Sequence, residues 1–100
     1  MKDQPGVCTE TRRRVCLTVW AYAYEVANDP LVDDDTFDRI ARQVNIREVT
    51  SRADLDAWWV INFDPSTGMW IHQHPELHLA AARYRMLRDH QLALDVADLV

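Results

Sequence analysis

Apolar residues recur at every third or fourth position over much of this chain, which is the spacing of one face of an α-helix. The first such stripe lies between about residues 11 and 28, and Thr9 or Thr11 provides a hydroxyl suited to its N-cap. The helix is predicted to end at Asn28-Asp29-Pro30, because the residue before a proline disfavours the α conformation. The stripe consists of Val15, Val19, Ala23 and Val26, flanked by Cys16, Trp20 and Tyr24.

A second stripe, formed by Phe37, Ile40, Ala41 and Val44, predicts a helix that begins near Asp34. Aspartates crowd the start of this helix, where carboxylates cap unpaired amide groups and complement the helix dipole. Because only a short connection separates the two helices, they should form an antiparallel helical hairpin.

The second half of the chain predicts two further helices. One spans about 52–62 and follows a capping box that begins at Ser51. The turn at 64–68 leads into a short extended piece at 69–71. The other helix follows Pro75, which suits the first position of a helix, and ends near His90. The acidic and apolar tail is either a fifth short helix or a segment that becomes ordered on a partner.

Together these elements predict an all-α fold, a small bundle of four to five short helices built on an N-terminal antiparallel helical hairpin. Residues 1–8 contain the dipeptide Pro5-Gly6 and are predicted to be a flexible N-terminal arm. Residues 9–100 are predicted to form a single helical domain, in which 91–100 is a loosely attached segment.

The chain has 100 residues and a formal net charge of -5. A domain of this size can bury one core but not a deep catalytic cleft as well, so we expect a binding protein and not an enzyme. The acidic charge disfavours nucleic acid as a direct partner, and the run Arg12-Arg13-Arg14 is interpreted as a solvated, internally paired helix start. The sequence has no run long enough for a membrane span and no signal peptide, which predicts a cytoplasmic location.

Six carboxylates lie within fourteen residues and ring the tip of the predicted hairpin, beside Tyr22, Tyr24 and Phe37. Carboxylates next to aromatic faces suit a cationic or hydroxyl-rich ligand. The plainer alternative, which the spacing alone favours, is helix capping by Asp34 together with a solvated acidic loop. The six carboxylates belong to Glu25, Asp29, Asp33, Asp34, Asp35 and Asp38.

A run of histidines, His72, His74 and His78, surrounds Pro75 and includes Glu76. Imidazole and carboxylate ligands suit zinc or another divalent metal, and two of the histidines have the spacing of one helix face. The alternative is a set of surface histidines that flank a proline and do not converge.

Three tryptophans, Trp58, Trp59 and Trp70, are candidate partner-binding residues. Neighbouring helical residues lie about 100° apart, so Trp58 and Trp59 cannot both face one core. An exposed tryptophan often anchors a partner. The alternative is a small domain that wraps around both side chains.

The stretch YAYEVANDPLVDDDTFDR, from Tyr22 to Arg39, resembles the N-terminal helical-hairpin subdomain of NAD-dependent bacterial DNA ligases. That subdomain carries a Y-x-Y-H motif followed by P-x-I-x-D-x-x-Y-D, and it binds the nicotinamide mononucleotide (NMN) half of NAD. The resemblance implies that Tyr24 stacks on the nicotinamide ring, and that Asp34 and Asp38 hold the amide or the ribose.

Two positions depart from the family pattern: Glu25 replaces its histidine, and Phe37 replaces its second tyrosine but keeps a stacking face. The ligase adenylation domain, with its K-x-D-G nucleophile, is absent from this sequence, so ligation is excluded. The whole chain also resembles small stand-alone ligase-related proteins of phages and prophages. Phage accessory proteins of this size are commonly inhibitors of host machinery.

Three functions follow as hypotheses, and the replacements at Glu25 and Phe37 favour the first. It is a non-catalytic phage or prophage accessory protein that inhibits a host defence or nucleic-acid-processing complex through an acidic and aromatic surface. The second is a module that binds NMN or NAD, which requires Tyr24, Asp34 and Asp38 to converge on a pocket; no other cofactor is expected. The third and weaker one is a metal-binding protein. Partner-binding candidates for the first are Asp29, Asp33, Asp35, Trp58, Trp59 and Trp70.

Overall fold

The structure is a computed structural model, and it describes residues 9–89. Within that range the chain forms four α-helices and one 3-10 helix, with no β-strand. The prediction of an all-α small bundle is confirmed. The predicted arm at 1–8 and the predicted segment at 91–100, with its proposed fifth helix, lie outside the described residues. The elements are α1 (Thr9–Glu25), α2 (Asp34–Gln43), α3 (Ala53–Asn62), the 3-10 helix (Met69–Gln73) and α4 (Leu77–Asp89).

Helix α1 is the central element and contacts α2, α4 and the 3-10 helix. Leu17 and Ala21 are fully buried although they lie outside the predicted stripe, while Val26 follows the end of the helix and is 42% exposed. The single-stripe prediction is therefore wrong for α1, because a helix that is covered on several sides buries more than one face. Among residues 9–89, none of the helices has the length and apolar character needed to cross a membrane.

The end of α1 is at Glu25, three residues before the predicted end at Asn28. Asn28 has a φ of 53°, in the left-handed region that asparagine tolerates better than most residues. With the chain reversed there, the Asp29 amide donates to the Ala23 carbonyl at 2.8 Å and closes the last turn of the helix. The chain then runs back toward α2.

Helices α1 and α2 form the predicted antiparallel hairpin. Near the start of α1, Glu10 Oε1 accepts a hydrogen bond of 3.0 Å from the amide of Asn45, just beyond the end of α2. At the opposite end, the last turn of α1 and the first turns of α2 line one cleft. The N-cap of α2 is Asp33 and not Asp34, because Asp33 Oδ1 accepts the Thr36 amide at 2.8 Å.

The predicted capping box before α3 is wrong. The N-cap position is occupied by Arg52, whose side chain makes no capping bond, and Ser51 takes no part. Asp56, from the first turn of α3, instead accepts the amide and the hydroxyl of Thr50 at 2.8 and 2.6 Å. The segment before α3 is therefore held by a carboxylate within the helix, and not by a capping hydroxyl that precedes the helix.

Residues 69–71, predicted to be extended, belong to the 3-10 helix. The Thr67 hydroxyl accepts the Met69 amide at 3.1 Å, and the Thr67 carbonyl accepts the Trp70 indole N–H at 2.7 Å. These bonds fold Trp70 back over the turn, which an extended strand does not permit. Pro75 lies in the turn before α4, which begins at Leu77 and not at the proline.

Arg14 is buried, at 5% exposure, although it belongs to a run of three arginines. Its guanidinium donates to Glu10 Oε2 at 2.7 Å and to Asp56 Oδ1 at 2.9 Å. It also donates to the backbone carbonyls of Asn45 and Glu48. The predicted internal pairing of the arginine run is present, but its predicted solvation is wrong for Arg14, which links α1 to α3 and to the segment between α2 and α3.

The tryptophans form an aromatic core beside α1. Trp59 and Trp70 are 1% and 4% exposed, and their ring centroids lie 5.0 Å apart. Trp58 is partly buried, and its indole N–H donates to the Gln73 carbonyl at 3.0 Å. The domain therefore wraps around both adjacent tryptophans, so Trp58, Trp59 and Trp70 do not form the exposed anchors expected as one alternative.

Candidate functional site

A cleft of about 360 Å³ opens at the tip of the hairpin. We call it the acidic cleft: it lies between the last turn of α1, the first turns of α2 and the turn Ser66–Gly68. All the residues predicted from the sequence to bind a nucleotide line it, namely Tyr24, Glu25, Asp34, Phe37 and Asp38.

The hairpin geometry explains why these residues meet. Asp34, Phe37 and Asp38 are spaced at i, i+3 and i+4, so they share one face of α2. Tyr24 and Glu25 occupy the last turn of α1. Because the two helices are antiparallel, the end of one faces the beginning of the other, and both groups line the same cleft.

The third wall of the cleft was not predicted. It comes from the turn before the 3-10 helix, where Asp64 Oδ1 accepts the amide and the hydroxyl of Ser66 at 2.9 and 2.7 Å. Gly68 then approaches the hairpin so closely that a Cβ there would lie 3.4 Å from Ala21 Cβ. The turn motif at 64–68 was visible in the sequence, but nothing local indicated that it packs against α1.

The acidic cleft is lined by three carboxylates, those of Glu25, Asp34 and Asp38. Among residues 9–89, no lysine, arginine or histidine lines it. Across residues 9–89, the ion pairs involve other carboxylates. The Tyr24 side chain is 51% exposed, so its ring is accessible. Aromatic faces beside carboxylates favour a cationic ligand.

Trp20 lies at the base of the acidic cleft and is 1% exposed. Its indole N–H has no hydrogen-bond acceptor in the described part of the chain. An unpaired buried N–H costs about 1–3 kcal/mol.

The other aspartates of the acidic cluster have structural roles or remain in solvent. Asp29 accepts hydrogen bonds from Tyr84 and Arg88, which lower the pKa of its carboxyl. The hydrogen bonds from Thr36 lower the pKa of Asp33, the N-cap of α2. Asp35 is exposed and does not line the cleft. The cluster therefore divides into residues that line the cleft and residues that do not.

The histidine run does not converge. His74 is buried, and its Nδ1 accepts the Glu76 amide at 3.0 Å, while His72 and His78 are exposed. No group of three or more His, Cys, Asp or Glu side chains between residues 9 and 89 is arranged to hold a metal ion. The structure therefore gives the metal-binding alternative no site at His72, His74 and His78.

A second cleft, of about 220 Å³, lies between α1, α3 and α4. Four of its charged side chains pair with one another: Arg14 lies 2.9 Å from Asp56, and Arg52 lies 2.8 Å from Glu76. Those pairs satisfy four of the groups that would otherwise bind a charged ligand, and Arg83 is a further charged residue of the lining.

The acidic cleft thus brings together the five residues predicted to bind a nucleotide, while the other predicted site residues lie outside it. In comparisons with known proteins, no protein-family model, no curated protein and no solved structure matches this chain.

Proposed function

We propose that this chain is a non-catalytic binding protein whose acidic cleft holds the nicotinamide end of a pyridine nucleotide. The observation that carries the proposal is the convergence of Tyr24, Asp34 and Asp38 on one cleft, together with Glu25 and Phe37. The nucleotide hypothesis requires this arrangement, whereas a solvated acidic loop does not.

The chemistry of an oxidised nicotinamide ring suits these side chains. The ring is a flat cation, and the accessible face of Tyr24 stacks on it. Asp34 and Asp38 accept hydrogen bonds from the carboxamide NH₂ or from ribose hydroxyls. Such a protein senses or sequesters the nucleotide.

Isothermal titration of the full chain with NAD, NMN and nicotinamide riboside, each to millimolar concentration, tests the proposal. We expect saturable binding of at least one of them, lost in Tyr24→Ala and Asp38→Asn. Asp35→Asn is the matched control, because it removes an aspartate charge from the same helix outside the cleft. Absence of binding by all three compounds, or equal loss in Asp35→Asn, would overturn the proposal.

A second candidate function is inhibition of a host protein complex, as expected of a phage or prophage accessory protein. The observation that favours it is the exposure of adjacent apolar residues on α3, where Val60 and Ile61 are 61% and 80% exposed. Exposed apolar side chains of this kind often mark a protein interface. This surface of α3 replaces the tryptophans as the candidate interface, because the tryptophans are largely buried.

Capture experiments with lysate of the host cell would test this second candidate. A partner held by the wild-type chain and lost by a Val60→Ser/Ile61→Ser variant would support it. The variant Val49→Ser is the control, since Val49 is 82% exposed and lies outside α3. A partner held equally by all three chains would rule out the α3 surface as the interface.

A further inference from the structure

Resting on the proposed function, we infer that the acidic cleft takes a nicotinamide nucleoside, a cation without phosphate, in preference to nicotinamide mononucleotide. We assign the preference chiefly to Glu25. The inference starts from the charges that line the cleft, which a phosphorylated and an unphosphorylated ligand would meet differently.

The lining favours a cation and opposes a phosphate. Glu25, Asp34 and Asp38 contribute carboxylates, and in the described part of the chain no basic side chain lines the cleft. Arg39 follows Asp38 in the sequence, but it is exposed and does not belong to the lining. A pyridinium ring is attracted to this charge distribution, whereas a phosphate dianion on the same ligand is repelled by it.

The N-terminus of α2 is a poor alternative phosphate site at this cleft. A helix N-terminus commonly binds phosphate through its unpaired amides, and α2 begins beside the cleft at Asp34. The carboxylate of Asp33 already accepts the Thr36 amide at 2.8 Å, and Asp34, which lines the cleft, adds a negative charge to the first turn. A phosphate placed there would meet these carboxylates, and one amide of the first turn is already bonded.

Glu25 is the carboxylate best placed to set the preference. It lies in the last turn of α1, across the cleft from the aspartates of α2. Its Cγ lies 3.6 Å from the position of a Cβ on Gly68, which puts its side chain beside the third wall of the cleft. Replacing it with glutamine keeps its size and one acceptor oxygen and removes its charge.

Isothermal titration of the full chain with nicotinamide riboside and with NMN tests the inference. We expect the riboside to bind about tenfold more tightly, the effect of one additional like-charge interaction in a partly solvated cleft. The preference should shrink at high salt, because the Debye length falls to about 3 Å at 1 M ionic strength. In Glu25→Gln the affinity for NMN should rise several-fold relative to the riboside, while Asp35→Asn should leave the ratio unchanged.

The outcomes separate the two proposals. Equal or tighter binding of NMN by the wild-type chain would overturn the phosphate discrimination and leave the proposed function standing. A tenfold preference that Glu25→Gln does not alter would overturn the role of Glu25. Absence of binding by either compound would overturn both the inference and the proposed function.

Discussion

The hydroxyl of Tyr84 donates a hydrogen bond of 2.6 Å to the carboxylate of Asp29 and so joins α4 to the connection between α1 and α2. Arg88 donates to the same carboxylate at 2.7 and 2.8 Å. The Tyr84 ring also packs against the Tyr22 ring at a centroid distance of 5.6 Å. Asp29, a residue that the sequence suggested for partner binding, therefore has a structural role.

We expect Asp29→Ala to lower the melting temperature by a small amount, because its ion pair with Arg88 is solvent-exposed and therefore screened. Hydrogen bonds from Tyr84 and Arg88 lower the pKa of Asp29, so its stabilisation is present above the usual aspartate pKa and is lost as the pH falls below it. In thermal melts followed by circular dichroism, the melting temperature of the variant should therefore lie below that of the wild type at about pH 7. The difference should narrow toward about pH 3. Asp35→Ala is the control and should show no such difference.

Removing Arg14 should be far more destabilising. The carboxylate of Glu10 is buried and faces Arg14 at 2.7 Å, so Arg14→Met leaves a buried charge without its main partner. Loss of one partner of a buried pair costs about 3–5 kcal/mol. Urea denaturation should show this loss in the free energy of unfolding, and the Glu10→Gln/Arg14→Met double variant should lose less than the sum of the single variants. Strict additivity would show that the two side chains do not interact.

The sequence was sufficient to predict the four α-helices of residues 9–89 and the hairpin, because those depend on local spacing and on local stop signals such as Asp29-Pro30. The sequence was insufficient where contacts between residues far apart in the chain determine the structure. The N-terminal side of α3 is held by Asp56 through Thr50 and not by a capping box. Likewise, Leu17 is buried because α1 lies at the centre of the fold and contacts three other elements, and no local sequence pattern encodes those contacts.

The residues of the candidate site likewise divide into those that the sequence could group in advance and those that it could not. Tyr24, Asp34 and Asp38 could be grouped in advance, because helical spacing and an antiparallel hairpin bring them to one tip. The base and the third wall could not: the unpaired N–H of Trp20 is a property of the packed core, and the approach of Gly68 to α1 joins residues more than forty positions apart.

We expect the stability of the fold to fall below neutral pH because of His74. Burial, the largest effect, lowers the pKa of His74; the charge of Glu76 opposes that shift, and the charge of Arg52 adds to it. The unfolded chain therefore binds more protons than the folded one below the ordinary histidine pKa of 6.5, so stability is complete above that pH and declines as the pH falls through the lowered pKa.

The variant His74→Asn isolates this effect, because asparagine can accept the Glu76 amide in an Asx turn but does not titrate. Urea unfolding at several values between about pH 7.5 and 5 should show a shallower decline for this variant than for the wild type. His72→Asn alters an exposed histidine and should retain the wild-type decline. Parallel declines for all three chains would show that His74 does not control the pH dependence.

Gly68→Ala should separate ligand binding from stability. A Cβ at this position would lie 3.4 Å from Ala21 Cβ and 3.6 Å from both Glu25 Cγ and Phe37 Cζ, which are ordinary contact distances. The φ of -102° suits alanine, and the lost freedom of the unfolded chain favours folding by about 0.4–1 kcal/mol. The melting temperature should therefore hold or rise slightly, while the added methyl narrows the cleft and weakens nicotinamide binding several-fold in titration. A variant that melts earlier would show that the Gly68 approach is too tight for a Cβ, and unchanged affinity in a stable variant would place the ligand away from this wall.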